Sequence, residues 1–178
     1  MSDNVMGQRV LMFVDDIYED LELWYPRLRL IEAGALVTVA GPAADRVYAG
    51  KHGYPCRSDA ALADMQSADF EGLVIPGGFM PDKLRRDPKV LSLVWEFAGA
   101  GKLVAAICHG PWVLCSAGML KGRTATSFFA IKDDVVNAGA HWVDAEVVVD
   151  NNLVTSRKPE DLPAFCKASI QVLETVLV

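Results

Sequence analysis

Lys102 to Trp112 reads K-L-V-A-A-I-C-H-G-P-W, and how this stretch folds decides the fold of the chain. Leu103 to Ile107 is a short unbroken apolar run, the pattern of a strand buried on both faces of a parallel sheet. Cys108 and His109 end the run, and Gly110-Pro111 lead into a helical pattern from Trp112 to Ala117. Proline fits the first turn of a helix, where its N–H would be unpaired in any case, so the order is strand, cysteine, helix. Ala106 and Gly110, two residues to either side of Cys108, are both small. A sharp turn that lifts a nucleophile above a sheet leaves no room for bulk at those positions. A helix N-terminus beside the sulfur also favours thiolate over thiol. Without these neighbours Cys108 would read as a small core residue. With them it reads as a catalytic nucleophile.

Working outward, the chain alternates strands and helices. Arg9 to Val14 is an apolar run ended by Asp15-Asp16, and Glu19 to Ile31 carries Leu21, Trp24, Leu28 and Ile31 at helical spacing, closed by Gly34. Ala35 to Ala40 is a second buried strand, which makes the opening a β-α-β unit. Arg46 to Ser58, rich in Gly, Tyr and Pro, reads as an irregular hairpin or lid. Phe70 to Ile75 is a strand ending in Pro76-Gly77-Gly78, and Asp87-Pro88 starts a helix to about Gly99. Thr124 to Phe128 reads as a short strand and Ile131 to Ala138 as a short helix. Glu146 to Ser156 reads as a hairpin turned at Asp150-Asn151-Asn152, and Pro159 opens the last helix. Apolar strands alternating with helices predict a flavodoxin-like α/β sandwich, a mostly parallel sheet with helices on both faces.

At 178 residues, 52% hydrophobic and 22% charged, the chain has the composition of one globular domain over 1–178. A net charge of −6 with no basic cluster beyond Lys83-Leu84-Arg85-Arg86 argues against nucleic acid as a partner. Leu103 to Leu120 is 18 residues without Asp, Glu, Lys or Arg, but His109, Gly110 and Pro111 interrupt it, so it reads as buried strand and helix and no membrane span is expected. The acidic and polar start, M-S-D-N-V-M-G-Q-R, is unlike an export signal. Cysteines at 56, 108, 115 and 166 show no metal-binding spacing, so reduced thiols in the cytoplasm are expected, with no metal.

In open α/β sheets the ligand crevice lies at the carboxyl ends of the strands. Three such ends carry unusual residues here: Asp15 to Glu19, Pro76-Gly77-Gly78, and Cys108-His109. The Gly77-Gly78 backbone lies open to a substrate and, with the His109 N–H, could form an oxyanion hole; it could equally be a tight turn that only glycine fits. Glu19, three residues after Asp16, either completes a capping box or faces Cys108 as a protonated carboxyl that tunes the thiol. His109 is placed to act as general base or acid. Cys115 and Cys166 are assigned to packing, and Cys56 to a loop.

The motifs A-I-C-H-G-P, V-I-P-G-G, Y-E-D-L-E-L, G-K-H-G-Y, I-K-D-D-V-V-N-A-G-A-H-W-V-D and V-T-S-R-K-P-E-D-L together resemble the ThiJ/PfpI superfamily (class I glutamine amidotransferase-like domains). The nearest branch is the PfpI intracellular peptidases and stress-linked deglycases, and the resemblance runs from Val10 to about Leu173. It implies a flavodoxin-like fold, no cofactor, and a homo-oligomer (dimer or hexamer) with sites near subunit interfaces. It makes Cys108 the nucleophile, His109 its base, Glu19 the buried carboxyl beside the thiol, and Gly78 with His109 the oxyanion N–H groups. The family's third triad member, a glutamate in G-G-x-A-P-E supplied by a neighbouring subunit, is Asp82 here, one methylene shorter. Phe128 stands where PfpI-type members carry a tyrosine. The implied function is a cysteine-dependent hydrolase acting on reactive carbonyls such as methylglyoxal (glyoxalase III or deglycase activity). The alternatives are an intracellular peptidase and, in another class, a non-catalytic redox stress sensor or holdase. A flavin module is disfavoured, because acidic Asp15-Asp16 is a poor phosphate cradle.

Overall fold

A computed structural model describes residues 5–175 of the chain; residues 1–4, part of the stretch judged unlike an export signal, and 176–178 lie outside it. In chain order the elements are β1 (Arg9–Phe13), α1 (Asp20–Glu32), β2 (Leu36–Gly41), β3 (Val47–Ala49), β4 (Pro55–Arg57), β5 (Ala60–Ala61), β6 (Gly72–Ile75), α2 (Met80–Leu84), α3 (Pro88–Gly99) and β7 (Leu103–Ile107). They continue with α4 (Pro111–Ser116), β8 (Thr124–Ala125), α5 (Lys132–Asn137), β9 (His141–Trp142), β10 (Val147–Asp150), β11 (Leu153–Ser156) and α6 (Leu162–Thr175). Short 3₁₀ turns link several of them, and one of these, Pro159–Asp161, carries the proline expected to open α6.

Seven strands form one sheet in the order β10-β11-β7-β6-β1-β2-β5, and every pairing is parallel except that of β10 with β11. All five residues of β7 are buried, as are all four of β6, because helices cover both faces of the sheet. Helices α1 and α6 pack together on one face, and α3 packs on α4 on the other. This is the flavodoxin-like arrangement the alternation predicts.

Several boundaries follow directly from the residues. Asp87 caps α3 by accepting a 2.9 Å hydrogen bond from the Lys89 N–H, with Pro88 at the first helical position. The β10–β11 turn places Asn151 at φ +53°, a left-handed conformation that asparagine tolerates well. The strand expected over Thr124 to Phe128 stops at Ala125, where the chain bends back and the Phe128 N–H donates to the Cys108 carbonyl at 2.9 Å.

Helix α1 lies where expected but is turned about its axis. Leu21, Leu28 and Ile31, three of the four residues that mark its helical spacing, are 57%, 59% and 48% exposed, while Glu22, Leu23, Pro26 and Leu30 are buried. The capping box also fails. The helix starts at Asp20, Glu19 is the residue preceding it with extended backbone, and its side chain makes no cap.

Candidate active site

The ends of β7, β6 and β1 are neighbours in the sheet, so the three unusual strand ends converge. Ile75 of β6 is in register with Ala106 of β7, which sets the Gly77-Gly78 turn beside Cys108. Cys108 itself has φ +62°, rare for a residue with a Cβ and the strain expected of a nucleophile elbow. The residue is only 8% exposed. The glycines around it are obligatory. A Cβ on Gly110 would lie 2.6 Å from the Ile75 carbonyl oxygen, and one on Gly77 would lie 2.7 Å from the Cys108 Cβ.

The sulfur lies 3.1 Å from Nδ1 of His109, whose ring stacks on Phe128 and meets Trp112 edge-on, with centroids 5.1 and 5.0 Å away. Backbone N–H groups of Gly78 and His109 lie close enough to the sulfur to favour its thiolate. Burial and the charge of Lys51 push the His109 imidazole below its usual range, so the ring is neutral and free to accept a proton at neutral pH. Helix α4 behind the elbow has only six residues, so the two local N–H groups favour thiolate more than any macrodipole does.

The carboxyl beside the thiol is Glu22, not Glu19. Glu22 is fully buried, its Oε2 accepts a 2.8 Å hydrogen bond from the Gly77 N–H, its Oε1 has no hydrogen-bond partner among the described residues, and the carboxyl lies beside the Cys108 thiol. Glu19 also lines the crevice, but it faces the β3–β4 hairpin, with Oε2 3.6 Å from both Lys51 Nζ and His52 Nε2. One helical turn separates the two acids, and only the second points under the elbow. Burial, above all, raises the Glu22 carboxyl to about 8. Burial and then the charge of Glu22 push the Cys108 thiol up, while the N–H groups of Gly78 and His109 pull it down. The two groups therefore titrate as a pair, and a protonated Glu22 turns from a repelling charge into a hydrogen-bond donor to the thiolate.

The crevice has a volume of about 400 Å³, and its walls include Ile17, Phe79, Trp112, Phe128 and Pro159. Ile17 escapes the sequence analysis. It sits at φ +68°, strained for a β-branched residue, because its carbonyl accepts the Phe79 N–H at 2.8 Å and its own N–H donates to the Ala49 carbonyl at 2.8 Å. Tyr18 next to it bridges to both Gly50 and Gly78, tying hairpin and glycine turn together. Asp82 lies outside this crevice, in the first turn of α2, and pairs with Arg86 of its own chain. Among the described residues no carboxylate takes the second ring nitrogen of His109. Glu19, Asp20 and His52 form a side-chain cluster with metal-ligand spacing, although both Asp20 oxygens already accept backbone N–H groups.

Residues 8–172 match the profile of the DJ-1/PfpI family. The chain belongs to that family. A protein of Pyrococcus abyssi named a deglycase is 46% identical over 166 residues, which span 93% of this chain and 99% of that one. A Bacillus subtilis protein named a candidate cysteine protease is 42% identical over 169 residues, 95% of this chain and all of that one. Among solved structures, the DJ-1/PfpI-like part of a two-domain protein of Anabaena variabilis superposes with a TM-score of 0.92 at 41% identity. That match covers 94% of this chain and 48% of that protein, which also carries a ferritin-like domain. DJ-1beta of Drosophila melanogaster gives a TM-score of 0.87 at 29% identity, covering 96% of each chain. The DJ-1/PfpI profile thus spans the β1 loop, the glycine turn and the cysteine elbow that build the crevice.

Proposed function

We propose that this chain is a PfpI-type cysteine enzyme whose Cys108 thiolate adds to small reactive carbonyls such as methylglyoxal and their early adducts. The observation that carries the reading is the strained elbow cysteine 3.1 Å from His109 Nδ1, with two backbone N–H groups near the sulfur and a buried carboxyl beside it. Addition of the thiolate to an aldehyde carbon gives a hemithioacetal. The oxyanion formed then lies within range of the Gly78 and His109 N–H groups. Neutral His109 moves protons between sulfur, oxygen and carbon, and Glu22 holds one at the thiol. No cofactor enters this scheme.

An apolar crevice of about 400 Å³ suits a small carbonyl compound better than a polypeptide, which favours deglycase or glyoxalase chemistry over peptidase chemistry. We also place the protein in the cytoplasm as a homo-oligomer, with Asp82 of a neighbouring copy as the group that orients His109. Among the described residues no helix is long and apolar enough to cross a membrane. The deciding experiment incubates wild type and Cys108→Ala with methylglyoxal and with casein. Lactate from wild type alone, with no peptide release, is the expected result. Peptide release that depends on Cys108 would favour the peptidase, and neither product would leave the redox sensor.

A further inference from the structure

Lys51 is the only lysine or arginine among the described residues lining the Cys108 crevice, whose other walls are largely apolar. It sits at the tip of the β3–β4 hairpin, and its backbone is clamped. Its N–H donates to the Tyr18 carbonyl at 2.7 Å, and Asp20 accepts the N–H groups of His52 and Tyr54 at 2.9 Å each. The side chain is half-exposed, and its nearest anion, Glu19 Oε2, is 3.6 Å away, beyond hydrogen-bonding distance. Among the described residues Glu19 is the ammonium's one ion-pair partner, and it does not take all three N–H donors. Its charge nevertheless reaches the reacting groups, since it helps lower His109 and works against the rise of Glu22.

We propose that Lys51 is the carboxylate-binding residue of this crevice and holds the acid group of a two- or three-carbon 2-hydroxy acid. This rests on the carbonyl chemistry proposed above. A 2-oxoaldehyde is neutral. With one water added, one aldehyde carbon is oxidised to a carboxyl, the neighbouring carbonyl carbon is reduced to an alcohol, and the acid then releases a proton. The negative charge thus exists only on the product. A cation lining the same apolar pocket as the thiol meets that charge at the end of the reaction, so Lys51 sets product affinity and release more than aldehyde capture. Glu19 holds the ammonium towards the crevice without saturating it.

The test reads binding without turnover. Lactate and its uncharged analogue lactamide are compared as protectants of Cys108 against iodoacetamide, at fixed ionic strength, in wild type, Lys51→Met and Lys51→Arg. In wild type, lactate is expected to protect at concentrations roughly tenfold below those of lactamide, the scale of one charge-assisted contact. Lys51→Met should bring lactate to the lactamide level, and Lys51→Arg should restore the difference. Equal protection by both compounds in wild type, or undiminished lactate protection in Lys51→Met, would overturn the assignment. Charge-dependent protection in an enzyme that makes no lactate from methylglyoxal would uphold Lys51 as an anion site and overturn the reaction instead.

Discussion

Glu22 and Cys108 are buried together under the Gly77-Gly78 turn, and two negative charges cannot be held there at once. The consequence for stability has a definite sign. In the unfolded chain the Glu22 carboxyl loses its proton near 4.5, and in the folded one it keeps it until about 8. Between those values the folded state binds more protons, so stability falls as pH rises, by at most about 1.4 kcal/mol per unit. Below 4.5 both states are protonated and the penalty is absent; above 8 it is complete. Thermal melts of wild type and Glu22→Gln from pH 5 to 8 should therefore diverge, with the variant gaining on wild type as pH rises. His109, whose lowered value gives the opposite slope, is common to both proteins and cancels in the difference. Parallel melting curves would show that Glu22 is ionised throughout. The sequence offers three acids here, Glu19, Asp20 and Glu22, and nothing in their spacing says which passes beneath a cysteine some 90 positions later. That depends on how α1 is rotated.

The rotation of α1 marks where periodicity stops being informative. Its more conspicuous apolar stripe, Leu21, Leu28 and Ile31, faces outward, and the stripe that packs inward contains an acid and a proline. Periodicity identifies a helix but not which of two candidate faces meets the sheet. Strands give no such trouble, since β6 and β7 are apolar on both faces and their ends alone place the site. The junction after β6 was legible only in part. Gly77-Gly78 read as a tight turn or as an oxyanion cradle; the packing around Gly77 bears out the tight turn, and the cradle belongs to the proposed reaction. A methyl group on Gly77 would stand 2.5 Å from Glu22 Oε2 and 2.7 Å from the Cys108 Cβ, two atoms that cannot both retreat. Gly77→Ala is therefore expected to lose on the order of 1–3 kcal/mol in urea denaturation and to lower turnover sharply. Gly99→Ala, whose added carbon would meet nothing within 4 Å, is the matched control. Wild-type rates in Gly77→Ala would mean that the turn has slack the packing does not reveal.

At the scale of the whole molecule, sheet order and the convergence of three strand ends follow from the alternation of elements, whereas anything involving a second copy lies beyond one chain. Two features nonetheless argue for assembly. Leu21, Tyr25, Leu28 and Ile31 leave an apolar stripe on α1, continued by exposed Tyr54 on the adjoining hairpin. A patch of that kind on a soluble protein commonly marks an interface. The second feature is chemical. His109 has the thiol at Nδ1 and, among the described residues, no carboxylate on its other ring nitrogen to orient the ring. Asp82, paired with Arg86 at the start of α2 and outside its own crevice, is the acid proposed to serve a neighbour. An aspartate is shorter than a glutamate by one C–C bond, roughly 1.5 Å, so the proposed contact would need closer packing or a bridging water. Light scattering should find an oligomer, and Asp82→Ala should keep that oligomer while lowering turnover by roughly tenfold or more, as expected for loss of an orienting acid. Asp82→Glu, which restores the longer reach, should recover most of the rate. A fully active monomer, or an Asp82→Ala oligomer with wild-type turnover, would place the orientation of His109 in its aromatic stack on Phe128 and Trp112 alone.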